Sequence, residues 1–196
     1  MSGKNIQITT TSGKQFSGYL AIPEAGHGPG IVLCQEIFGV NEAMRAKADF
    51  LAEEGYTVLV PDLFWRTVAN IELGYTPKKK KKALALYQNF DENLGVEDIK
   101  ECLAFLQNLE ECDQSVGQAV VGYCLGGKLA YLAACRIPEL AVAVSYYGVG
   151  IENQLDELSN VKATLVIHLA ALDQFTPPDV QANIATAAAQ FKHISV

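Results

Sequence analysis

The chain has 196 residues, 49% of them hydrophobic and 19% charged, with a formal net charge of −7. That length suits a single domain over 1–196, and the acidic balance argues against general affinity for nucleic acid or anionic membrane. No apolar run is long enough to span a bilayer, and Met1–Thr11 lacks the apolar core of a secretory signal, so a cytoplasmic protein is expected.

In chain order, residues 5–10 and 15–22 alternate loosely around Ser12-Gly13-Lys14, which predicts a hairpin. Residues 30–34 form a short apolar run suited to a strand buried on both faces. Asn41 can cap a helix running to about Glu54, with Met44, Ala48, Leu51 and Ala52 on one face. Gly55 stops it, and residues 56–60 return as a strand that leads to Pro61-Asp62. After a long connection, Pro77 opens a helix bearing Lys78–Lys82, and a further helix is predicted over roughly 96–109. Strands are predicted at 118–122, 140–146 and 163–169, with helices at 126–136 and 178–191. Residues 193–196 read as the start of one more strand. Strands that alternate with helices imply an α/β fold: a mainly parallel sheet, helices on both faces, and an antiparallel hairpin at the N-terminus. Ligands in such sheets sit beyond the carboxyl ends of the strands, so Gln35-Glu36, Asp62, Tyr123-Cys124, Tyr147 and Asp173 are the positions to inspect.

Cys34, Cys102, Cys112, Cys124 and Cys135 are odd in number and show no zinc or redox-pair spacing. Most read as small core hydrophobes. Cys124 stands apart. Gly122-Tyr123-Cys124-Leu125-Gly126-Gly127 follows a strand and opens a helix, the pattern of a nucleophile elbow with Cys in place of Ser. So tight a turn leaves no room for a Cβ two residues to either side, and the helix N-terminus aimed at the sulfur is expected to favour a thiolate. The N–H of Leu125 is placed to stabilise an oxyanion. The plainer alternative is a glycine-rich turn holding a structural Cys. Gly122–Lys128 also fits the opening of a phosphate-binding loop, but Leu129 occupies the position that needs Ser or Thr. Asp173 follows a strand and comes after the nucleophile, the chain order of a catalytic acid in such hydrolases; a turn Asp before Pro177-Pro178 is the alternative. Glu36 could serve the thiol as a base, or could be a solvated loop carboxylate.

The segments Gln35-Glu36-Ile37-Phe38-Gly39-Val40-Asn41, Pro61-Asp62-Leu63, Gly122–Gly127 and Tyr146-Tyr147-Gly148-Val149-Gly150 together resemble the dienelactone hydrolases (carboxymethylenebutenolidases), within the α/β-hydrolase fold. The resemblance implies opening of an enol-lactone ring in the breakdown of aromatic compounds, through an acyl-enzyme formed by a Cys–His–Asp triad. It places Cys124 as nucleophile, Asp173 as acid, Glu36 as the carboxylate paired with the resting thiol, and the N–H groups of Ile37 and Leu125 as the oxyanion hole. Phe38, Tyr87 and Tyr147 fall on pocket-lining positions, and no metal or organic cofactor is implied. Three departures stand out. The family's histidine, in a segment like Ala-Gly-His, follows the last core strand, and this sequence stops at Val196 within that strand. The last strand and helix are therefore expected to be missing or incomplete, leaving a sheet edge open to self-association. The arginine that binds the substrate carboxylate falls in the lysine run, most nearly at Lys80, where the charge is kept without the bidentate fork. Ala170-Ala171 replace two glycines before the acid. Of the remaining histidines, His27 lies in an early loop, His168 reads as a core residue of an apolar strand, and His193 precedes the last strand. The expected partner is a small anionic lactone or ester; a catalytically impaired binding module is the alternative from another class.

Overall fold

A computed structural model describes residues 3–196, so the first two positions of the stretch read as lacking a secretory core lie outside the described residues. The hairpin forms as expected: β1 (Lys4–Thr9) pairs antiparallel with β2 (Gln15–Ala21), and Gly13 makes the turn at a φ of 81°. β3 (Gly30–Cys34) and β4 (Thr57–Pro61) are buried at every position, which is why they read as unbroken apolar runs. β5 (Ala119–Tyr123), β6 (Val142–Tyr146), β7 (Thr164–His168) and β8 (Ile194–Ser195) complete one sheet in the order β1-β2-β4-β3-β5-β6-β7-β8. β2 joins β4 antiparallel, and every pairing from β4 to β8 is parallel. The carboxyl ends of β3, β5, β6 and β7 therefore face the same way.

Helices cover both faces. α1 (Glu42–Glu53) is capped by the Asn41 side chain, which accepts from the Met44 N–H, and it buries Met44 and Ala48 against Val58, Val60 and Leu33. On the other face lie α3 (Glu92–Gln107) and α4 (Leu125–Arg136), with α2 (Pro77–Gln88) packed through Ala83 and Leu86 and α5 (Pro178–Ala188) through Ile184 and Ala188. α4 is buried from Leu125 to Cys135, so a helix that is apolar nearly all round forms the centre of this layer. The N-terminal hairpin is tied to α3 through the single tryptophan. Phe16 stacks on Trp65 at 5.2 Å. The Trp65 indole N–H donates to the buried Asp98 carboxylate at 2.8 Å, and Arg66 pairs with its other oxygen at 2.6 Å.

Three expectations need correction. α3 starts four residues earlier than predicted, because Asp91 caps it by accepting from the Asn93 and Leu94 N–H groups. Residues Ile151–Asn160, not assigned from sequence, form a 3-10 helix with a kink at Gln154. His168 is not a core residue. β7 alternates, with Leu165 and Ile167 buried and Thr164 and His168 exposed, and the His168 ring lies flat on Tyr146 at 4.5 Å, which in turn stacks on Tyr123 at 4.8 Å. Among the described residues, no helix is long and apolar enough to cross a membrane.

Leu129 of α4 is fully buried in the larger core. Leu129→Ala is expected to lower the unfolding free energy by about 2–5 kcal/mol, measured by urea titration.

Candidate active site

The turn from β5 into α4 carries Cys124 at φ 56° and ψ −114°, a backbone conformation that costs energy for any residue with a side chain. The glycines around it are sterically obligatory. A Cβ at Gly122 would stand 2.0 Å from the Gly126 carbonyl oxygen, and one at Gly126 would stand 2.3 Å from that of Cys34. The turn is fastened to both neighbouring strands: the Cys124 N–H donates to Tyr146 O at 3.0 Å, and the Gly126 N–H to Gln35 O at 3.0 Å. The sulfur is thus presented at the carboxyl edge of the sheet, half-buried, while the other four cysteines are buried.

What surrounds the thiol is the group of residues singled out in the sequence. The N–H groups of Leu125 and Ile37 both donate to the Cys124 sulfur, and Glu36 and Asp173 act on it electrostatically. Desolvation pushes the thiol pKa up, the two acids push it further, and the two N–H groups pull against them; the net direction is upward. The Leu125 N–H at the helix N-terminus does pull toward a thiolate, as expected, but burial outweighs it. A terminal dipole contributes about 0.3–1 kcal/mol, whereas burial can move a group by several pKa units. The upward direction favours the protonated thiol.

Glu36 is held between two phenols. Tyr147 donates to one carboxylate oxygen at 3.3 Å, and Tyr75, which the sequence did not single out, donates to the other at 2.9 Å. Both phenols have pKa values raised, chiefly by desolvation and further by Glu36, so they keep their protons as donors. Tyr147 itself sits at a φ of 41° immediately after β6. Phe38 meets Tyr75 edge-on at 4.7 Å. The Tyr87 hydroxyl lies within the electrostatic reach of Cys124, Glu92 and Glu152, and its pKa is raised, first by desolvation. Asp173 is half-buried, and its carboxylate accepts from the Phe175 N–H at 2.9 Å in a local turn. Neither Ala170 nor Ala171 takes a positive φ, so both sit in backbone conformations open to any residue. Lys80 lies apart from this group: it is exposed in the first turn of α2, seven residues before Tyr87 and on the same helical face.

The three imidazoles are engaged elsewhere. His193 bonds to the Val161 carbonyl at 2.9 Å, His27 lies within electrostatic reach of Asp113, and His168 stacks on Tyr146. Lys128, which would reach for phosphate in a nucleotide-binding loop, is buried and paired with Glu92 at 2.7 Å. No group of three or more metal-ligating side chains occurs among the described residues.

A strained cysteine elbow at the edge of a mainly parallel sheet, with backbone donors and two carboxylates converging on the sulfur, defines an α/β-hydrolase-type site. Residues 16–194 match the model of the dienelactone hydrolase family, and the chain belongs to that family. Among its relatives, carboxymethylenebutenolidase 1 of Cupriavidus pinatubonensis is 33% identical over 198 residues, spanning all of this chain and 83% of that protein. A carboxymethylenebutenolidase of Pseudomonas sp. is 35% identical over 188 residues, 95% of this chain and 78% of that protein. Among solved structures, a putative dienelactone hydrolase of Klebsiella pneumoniae superposes with a TM-score of 0.83 at 26% identity, covering 99% of this chain and 83% of that one. Membership in the family places the chain among the hydrolases of carboxylic esters and lactones.

Alkylation of Cys124 by iodoacetamide, followed by peptide mass spectrometry, is expected to rise with pH through a midpoint above the usual cysteine range of about 8.5. Because both acids raise the thiol pKa, Glu36→Gln and Asp173→Asn are each expected to lower that midpoint.

Proposed function

We propose that the chain opens small lactones and esters through Cys124 as nucleophile, by way of a thioester acyl-enzyme. The observation that carries this reading is the convergence of the Ile37 and Leu125 N–H groups on the sulfur of a strained elbow, with Glu36 beside it. As the sulfur attacks the carbonyl carbon, its proton passes to the Glu36 carboxylate and the carbonyl oxygen becomes an oxyanion between the two N–H donors. Collapse breaks the ester C–O bond, and the departing oxygen takes the proton back from Glu36. In a lactone that oxygen remains attached to the acyl group as the opened end of the ring.

Hydrolysis of the thioester needs a second base to take a proton from water. The charged groups acting on the sulfur are two carboxylates, and the three imidazoles are engaged with other partners. Asp173, bound into its own turn, is the acid of this reading. The acyl-enzyme is therefore expected to accumulate. Mixed with p-nitrophenyl acetate, the protein should release about one equivalent of p-nitrophenolate in a fast phase and then turn over slowly. Cys124→Ala should abolish the fast phase, and an undiminished burst in that variant overturns the reading.

An anionic substrate fits the lysine-bearing face that α2 extends from Tyr87. Lys80→Ala is expected to raise KM for a carboxylate-bearing ester about three- to fivefold and leave a neutral ester unchanged, since an exposed ion pair contributes ~1 kcal/mol or less.

A further inference from the structure

We propose that Tyr75 is a positioning residue, which sets where the Glu36 carboxylate stands relative to the Cys124 thiol. The inference rests on the reading of Glu36 and Cys124 as the reacting pair.

Glu36 has two fixed donors, and they come from opposite sides of the site. Tyr147 arrives on the strand edge after β6, where the backbone is held by its N–H donating to His168 O at 2.8 Å. Tyr75 arrives from the connection between β4 and α2, on a loop with no strand of its own. That loop is nonetheless latched to the segment that bears Glu36. The Leu73 N–H donates to Phe38 O at 2.8 Å, and the Asn41 side chain donates to Leu73 O at 3.0 Å in a buried bond. Gly39 and Glu72 form an isolated antiparallel bridge. The approach is so close that a Cβ on Gly39 would stand 1.8 Å from Ile71 O. Arg45 of α1 pairs with Glu72 from the far side.

The latch explains an otherwise odd fact: Tyr75 is 58% exposed, yet its hydroxyl has a defined partner. A tyrosine so exposed would ordinarily satisfy its hydroxyl with water. Here the ring rests edge-on against Phe38, and the same latch that holds Leu73 brings the hydroxyl to Glu36. With Tyr147 on one oxygen and Tyr75 on the other, the carboxylate is held in one orientation beside the sulfur. Losing the Tyr75 donor leaves one carboxylate oxygen without its partner and free to take a hydrogen bond from the thiol instead, which stabilises the protonated sulfur.

The test is Tyr75→Phe, which keeps the ring on Phe38 and deletes one oxygen atom. The alkylation midpoint of Cys124, read at the peptide level with iodoacetamide, is expected to move up, by at most the roughly one to two pH units that a hydrogen bond to a charged acceptor is worth. In the Glu36→Gln background the same substitution should leave the midpoint where Glu36→Gln alone puts it, because Tyr75 acts only through that carboxylate. A merely structural role for Tyr75 would change the melting temperature without this dependence on Glu36. An unchanged midpoint in Tyr75→Phe, or an equal shift in both backgrounds, overturns the proposal. The nucleophile assignment fails by a different measurement, the p-nitrophenolate burst of Cys124→Ala, so the two outcomes are separable.

Discussion

The site depends on two backbone hydrogen bonds that hold a strained turn against its neighbours. The Cys124 N–H reaches across to β6, and the Gly126 N–H reaches across to the residue after β3. These bonds can form only because positions 122 and 126 carry no Cβ. They do more than hold Cys124 in a costly conformation. They draw the ends of the two flanking strands to within reach of the sulfur, and the residues that follow those strands are Glu36-Ile37 on one side and Tyr147 on the other. The same steric constraint therefore sets the place of the sulfur, of the Ile37 N–H beside it and of the first phenol on Glu36. Chemistry at this edge is a property of the backbone before it is a property of side chains.

Burial decides the electrostatics. The helix N-terminus and two N–H donors work to ionise the sulfur, but desolvation and two nearby carboxylates work against them and prevail. The balance favours the protonated thiol, beside a Glu36 carboxylate that two phenols already occupy.

Much of this was legible in the sequence, for reasons that differ by element. The central strands are buried on both faces, so their apolar runs need no tertiary information to be seen. The Gly-x-Cys-x-Gly spacing is readable because steric exclusion leaves only glycine at two fixed positions. The misreadings share a cause: each depended on which way something points. β7 looks uniformly apolar on paper, yet half of it faces a thinly covered side, and His168 goes with that half. Asp91 reads as one of many acids until the N–H groups it caps are in view. The upward shift of the thiol arises from how deeply the sulfur lies, which a motif does not encode. Tyr75 is an exposed aromatic in a loop, indistinguishable in sequence from its neighbours until the latch delivers its hydroxyl to Glu36.

The packing of Trp65 has a spectroscopic consequence. It is the chain's one tryptophan, and it is fixed between the hairpin ring of Phe16, the guanidinium of Arg66 at 4.4 Å and a buried carboxylate on α3. Indole emission from this protein therefore reports on the seam between the N-terminal hairpin and α3. Denaturation followed by that light tracks the seam's parting and is blind, at first, to loosening around the sulfur. Events at the elbow need a different observer, and the stacked rings of Tyr123, which precedes Cys124, and Tyr146, whose carbonyl accepts from the Cys124 N–H, supply one through their near-ultraviolet circular dichroism.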